Sequence, residues 1–183
     1  MGRFLPHQRR RHVGIREMSA EGERLLHYGA RPLRFDAART YRHPEAHSKP
    51  SGLWVSVEGE YCWRTWCEGE RWNLQGLKYV SEVTLAPEAN IVQLDSLQKL
   101  DEFHARYSND GGYIRCDRVQ AAHGGVLISP YRWERRLNFL WYYGWDCASG
   151  VIWDLGAVEA VSPSRETGIE QEATKEKERN ETE

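Results

Sequence analysis

Asp146 sits in the run Gly144-Trp145-Asp146-Cys147-Ala148-Ser149-Gly150-Val151-Ile152-Trp153-Asp154, which sets two carboxylates and a hydroxyl among small and aromatic residues. A carboxylate in apolar surroundings is costly unless it is paired or used, so this stretch is the least core-like part of the chain. An acid aimed at positive charge that develops during bond cleavage lowers the barrier selectively in the transition state. Three other sites carry comparable residue types. His27-Tyr28-Gly29 closes an early apolar run. Lys49-Pro50-Ser51-Gly52-Leu53-Trp54-Val55-Ser56 leads through glycine into a strand that alternates an aromatic ring with a hydroxyl. Cys62-Trp63-Arg64-Thr65-Trp66-Cys67 puts two indoles on one helical face. Each also has a plainer reading: a histidine satisfied by backbone, an ordinary strand, and aromatics used for packing.

All eight tryptophans lie between Trp54 and Trp153. An indole offers a flat apolar face and one N–H, and so many in one stretch point to an aromatic core with a flat slot in it. Trp54 and Trp66 are the rings expected to face a ligand. Trp145 and Trp153 bracket the candidate acid. Trp63, Trp72, Trp133 and Trp141 are expected to pack or to lie on the surface.

The elements that must hold these sites are short. Strands are expected at 24–28, 53–57, 79–85, 91–94, 126–129, 139–145 and 151–153, each bounded by Gly or Pro or showing period-two alternation. Residues 60–67 have helical spacing. Ser96 caps a helix over 96–107 whose buried face is Leu97, Leu100, Phe103 and Ala105 or Tyr107. A further helix fits 117–122. The sum is an α+β domain: a mostly antiparallel, short-stranded split sheet with two or three helices.

A chain of 183 residues with 25 basic and 27 acidic side chains has a net charge of −2, which gives no global attraction to polyanions. Residues 1–23 form a flexible basic segment, 24–161 one domain, and 162–183 a charged tail expected to be disordered. No apolar run spans a bilayer and no secretory h-region is present, so a cytoplasmic protein without membrane contact is expected. The four cysteines lack the spacing of a zinc site, so no metal is expected.

Taken in order, the motifs RLLHYG (24–29), KPSGLWVS (49–56), CWRTWC (62–67) and WDCASGVIWD (145–154) resemble the ADP-ribosyltransferase superfamily, in its diphtheria-toxin-like and poly(ADP-ribose)-polymerase-like branch. The resemblance covers residues 24 to about 160. It implies an ADP-ribosyltransferase-like fold and NAD as co-substrate. It implies a macromolecular acceptor, protein or nucleic acid, as in toxin-like transferases of bacteria or phage. His27, with Tyr28 and Gly29, would hold the adenosine ribose. Trp54 and Trp66 would flank nicotinamide, and Gly52, Ser56 and Ser149 would line its site. Catalytic roles fall to His27 and Asp146. The chain departs from the family where both stacking tyrosines are tryptophans and the usual glutamate is missing. Asp146 is the nearest acid, Asp154 lies farther on, and the family's register puts Ser149 there.

The residue types suit the chemistry. A ring π-face attracts cationic nicotinamide, and its departure builds an oxocarbenium-like ribose that a carboxylate stabilises. A second reading is a non-catalytic module that binds a nucleotide, ADP-ribose or single-stranded nucleic acid. It would use the aromatic slot and a patch made by Arg132, Arg135 and Arg136 beside Tyr131 and Trp133. A third, Cys147 as nucleophile with His123 as base, has no support from spacing.

Overall fold

The computed structural model describes residues 23–42, 46–47, 49–59 and 61–169. The expected basic segment therefore lies outside the described residues except for Glu23. The chain runs β1 (Leu25–Gly29), β2 (Leu53–Val57), α1 (Trp63–Glu70), a 3₁₀ turn (Leu74–Leu77), β3 (Tyr79–Leu85), β4 (Ile91–Leu94), α2 (Leu97–Tyr107) and α3 (Cys116–Ala122). It continues with β5 (Gly125–Ile128), α4 (Leu140–Tyr143), β6 (Ser149–Ile152), β7 (Val158–Val161) and β8 (Arg165–Glu166). The strands form one sheet in the order β4-β5-β6-β2-β1-β3-β7, with β8 also on β3. All pairings are antiparallel except β4 with β5, which is parallel, so the sheet is mixed. The class is α+β, as the strand and helix patterns imply.

Alternation decides which face each strand buries. Leu53, Val55 and Val57 of β2 and Leu25 of β1 enter the main core, with Leu100, Phe103, Tyr107, Val119, Trp141 and Trp145. The other face carries a small cluster of Cys67, Leu77 and Ile169, against which Tyr28, Trp63 and Trp66 pack. Ser96 caps α2 by accepting from the Lys99 N–H at 3.2 Å, and Leu100, Phe103 and Tyr107 are its buried face. Two glycines let the central strands approach closely. A Cβ on Gly52 would stand 2.7 Å from the Ile152 carbonyl oxygen, and one on Gly150 would stand 2.8 Å from that of Val126.

The structure corrects four expectations. Among the described residues the helices number four, beside three 3₁₀ turns, where two or three were expected. The segment 139–145 is not a strand but contains a helical turn, α4. Trp141 and Tyr142 are both buried here, and the N–H groups of Tyr142 and Tyr143 donate to the Phe139 carbonyl at 3.0 and 3.1 Å, local bonds that an extended strand cannot make. Local bonds such as Trp145 N–H to Tyr142 O at 2.9 Å bring both rings inward. Order does not end at 161: β8 pairs with β3, and Ile169 is buried against Leu77 and Cys67. The sheet is also one connected path and not two separate sheets. It opens locally where the registered β1–β2 pairing ends at Leu26 and Ser56.

Among the described residues no helix is long and apolar enough to cross a membrane.

Candidate functional site

Beyond the Leu26–Ser56 pair, β1 and β2 are held by a side chain. The His27 ring reaches across and its Nδ1–H donates to the Trp54 carbonyl oxygen at 2.8 Å. A carbonyl can only accept, so Nδ1 carries the proton. Burial is the main influence on the ring and lowers its pKa, despite the opposing effect of this bond. The imidazole is therefore neutral at pH 7, and Nε2 is left as an acceptor, 3.8 Å from where a Cβ on Gly29 would stand.

A cleft of about 490 Å³ opens at this parting of the strands. Its walls include Tyr28 and Gly29 from β1, Trp54 and Ser56 from β2, Trp63 from α1, and Asp146 and Ser149 at and before β6. Ser56 joins two of these elements. Its hydroxyl accepts from the Trp63 N–H at 2.9 Å, a strand residue satisfying an orphan donor at the start of α1. Ser149 stands opposite Ser56 in the β2–β6 register, and its hydroxyl donates to the Cys147 carbonyl at 3.0 Å. The Trp54 ring leans on buried Trp145, with centroids 4.9 Å apart and planes at 54°.

Asp146 is bound by two cations. Arg136 Nη2 donates to Oδ1 at 3.1 Å, and Lys49 Nζ lies 3.6 Å from Oδ2. The same guanidinium donates through Nη1 to the Tyr131 hydroxyl at 2.9 Å and to the Trp145 carbonyl at 3.3 Å.

Of the residues singled out in the sequence, the cleft gathers Tyr28, Gly29, Trp54, Ser56, Asp146 and Ser149. His27 stands behind the lining, and Gly52 is packed against Ile152. The second indole on the wall is Trp63. Trp66 stacks on it, with centroids 5.2 Å apart and planes at 12°, and does not itself line the cleft. Asp154 is exposed on a different depression beside Asn90 and His123, where it caps a 3₁₀ turn by accepting from the Gly156 N–H. Of the three candidate positions for the acid, Asp146 and Ser149 are at the cleft and Asp154 is not.

Cys147 lines the cleft, but burial pushes its thiol up to about 12, so it is not a thiolate at neutral pH. His123 is bonded to Tyr107 and Asn90 in the other depression, so no Cys147–His123 pair forms. In the basic patch, Arg135 is bonded to Asp101 through both Nε and Nη2, and Arg136 to Asp146. Tyr131 is buried. Lys49, which opens the 49–56 motif but has no role in it, is also on the cleft wall, with Asn73 from a segment whose local pattern carries no site signal. Among the described residues no three His, Cys, Asp or Glu side chains gather where they could hold a metal ion.

Burial also lowers the pKa of His104 and His123. For all three histidines the folded value lies below the ordinary value of about 6.5. The unfolded chain then binds more protons between the folded values and 6.5, so stability falls as pH drops through that window and levels off below it. Urea midpoints should decline from pH 7 to pH 5, and His27→Gln should make the decline shallower. A flat profile over that range would contradict the burial of these rings.

No family model, curated protein or solved structure matches the chain.

Proposed function

We propose that the chain is an NAD-dependent ADP-ribosyltransferase-like protein acting on a macromolecular acceptor. The observation that carries this reading is the assembly of Trp54, Ser56, Asp146 and Ser149 on one cleft, with the acceptor nitrogen of His27 beside Gly29. These residues come from three separate segments, 24–29, 49–56 and 145–154, whose order resembles that of the family's motifs. The cleft volume falls in the range of small-molecule and cofactor sites.

The residues present suit NAD by type. Trp54 and Trp63 offer aromatic faces for a flat cationic ring, Lys49 a cation for a phosphate, and His27 Nε2 an acceptor for a ribose hydroxyl. Bound NAD would supply the nicotinamide leaving group and the electrophilic ribose carbon. The chain would supply ring stacking, orientation and the Asp146 carboxylate. An ADP-ribosyltransferase-like arrangement of the single sheet is part of this proposal, and the parting of β1 from β2 at the cleft supports it.

The test is titration with NAD by calorimetry and by quenching of tryptophan fluorescence, with an assay for released nicotinamide. Binding is expected, and Trp54→Ala should weaken it about 10-fold, as loss of one stacking face does. Absence of heat, quenching and nicotinamide would refute the reading.

One observation favours the second reading, a non-catalytic nucleotide or ADP-ribose binding module. Both oxygens of Asp146 already face cations, and the resemblance would put Ser149 in the register of the family's glutamate. That reading expects NAD or ADP-ribose to bind with no release of nicotinamide.

A further inference from the structure

The two cations on Asp146 hold it unequally. The guanidinium of Arg136 is fixed on several sides. Besides its bonds to Asp146, Tyr131 and Trp145, it lies over the rings of Trp133 at 5.5 Å and Tyr143 at 5.1 Å. Its orientation is therefore set by packing as well as by charge. Lys49 is held loosely. Its Nζ–Oδ2 separation of 3.6 Å exceeds hydrogen-bond distance, and its side chain is 44% exposed. Such a half-exposed contact is weak and is readily exchanged for a better partner.

Charge and geometry say what that partner is. Lys49 and Asp146 are the formally charged side chains on the cleft wall, and Arg136 stands behind Asp146. Two cations against one carboxylate leave a positive surplus at Asp146 itself, while Glu58 lies off the wall, bonded to the Tyr28 hydroxyl at 3.5 Å. Tyr28 and Cys147 do not offset it, because burial raises both pKa values. The Lys49 ammonium also lies 5.9 Å from the Trp54 ring centroid. That places Nζ within reach of a phosphate joined through ribose to a flat ring on Trp54.

We propose that Lys49 is the anion-binding arm of the cleft: it takes a phosphate of a ligand whose ring lies on Trp54, and in doing so it leaves the outer oxygen of Asp146. Arg136 keeps its hold on Oδ1, so the carboxylate stays oriented while Oδ2 turns free toward the ligand. Phosphate recognition and exposure of the acid are then one event. This inference rests on the cleft taking a nucleotide, as proposed above, and it extends to any nucleotide with a stackable ring.

The experiment uses two ligand pairs that differ by one phosphate: nicotinamide mononucleotide against nicotinamide riboside, and AMP against adenosine. Affinities are measured by calorimetry on the full chain and on Lys49→Met and Lys49→Arg, with far-UV circular dichroism to confirm that each variant is folded. The wild type should bind the phosphorylated member of a pair about 10-fold tighter, the scale of one charge-assisted bond. Lys49→Met should erase that preference and Lys49→Arg should keep most of it. A preference that survives in Lys49→Met, or is absent from the wild type, overturns the proposal. If only the adenine pair behaves as expected, Lys49 stands and the transferase reading falls. If NAD is cleaved and Lys49→Met alters no affinity, the transferase reading stands and Lys49 falls.

Discussion

Trp145→Ala is expected to destabilise the protein by about 3–5 kcal/mol, the range for a large aromatic removed from a packed interior. The indole is 2% exposed and sits between Trp54 and Trp141, with ring centroids 4.9 and 6.3 Å away. Its carbonyl, which accepts from the Tyr131 hydroxyl and from Arg136, survives the substitution, so what is lost belongs to the indole. For a domain of this size the melting temperature should fall by roughly 6–20 °C. Urea unfolding followed by far-UV circular dichroism checks this, since removing an indole alters the fluorescence itself. Trp72→Ala is the milder comparison: that ring is 52% exposed and meets Trp63 and Trp66 edge-on, and its loss should cost about 0.5–1.5 kcal/mol. A cost below about 1 kcal/mol for Trp145→Ala would mean that the aromatic interior collapses onto the gap. The variant also removes the surface on which Trp54 leans, so ligand binding should weaken even where the fold survives.

That contrast shows where the sequence is readable. Alternation bounded by turn residues identifies β1, β2, β3 and β4, and the Ser96 cap with its apolar spacing identifies α2. These signals are local, so local patterns capture them. The stretch 139–145 misleads because aromatic residues favour strands as isolated types, while here the Phe139 carbonyl takes the N–H groups of Tyr142 and Tyr143 and closes a helical turn. β8 is missed because two residues among charged neighbours offer no periodicity, and their order comes from pairing with β3. The site divides in the same way. Asp146 stands out within its own segment, but its cations Lys49 and Arg136 arrive from elsewhere in the chain. Spacing puts Trp63 and Trp66 on one face of α1 without saying which end meets the cleft. The Ser56 hydroxyl decides that by tethering the Trp63 end of α1 to β2.

Asp146→Asn should separate catalysis from binding, and the two should move in opposite directions. The substitution keeps the shape of the side chain and removes its charge. Under the proposed function, nicotinamide release should fall about 100- to 1000-fold, the usual loss when one electrostatic stabiliser is taken from a developing charge. The ground state should respond with the opposite sign. Lys49 loses the carboxylate 3.6 Å from its ammonium, so both it and Arg136 become more available to a phosphate. Affinity for ADP-ribose should therefore rise, by a few-fold, since a contact of this exposure is worth at most about 1 kcal/mol. Stability should fall, because Arg136 is left beside Trp133 and Tyr143 without its carboxylate. A merely structural Asp146 would give another pattern, with release and affinity falling together as the cleft loosens. Parallel calorimetry with ADP-ribose and single-turnover measurement of nicotinamide release distinguish the two. If affinity rises while release is unchanged, the carboxylate is an electrostatic mask over Lys49 and takes no part in bond cleavage. In that case any cleavage depends on another group, and where wild type and variant alike release no nicotinamide, the cleft with its Ser149 hydroxyl binds a nucleotide without cleaving it.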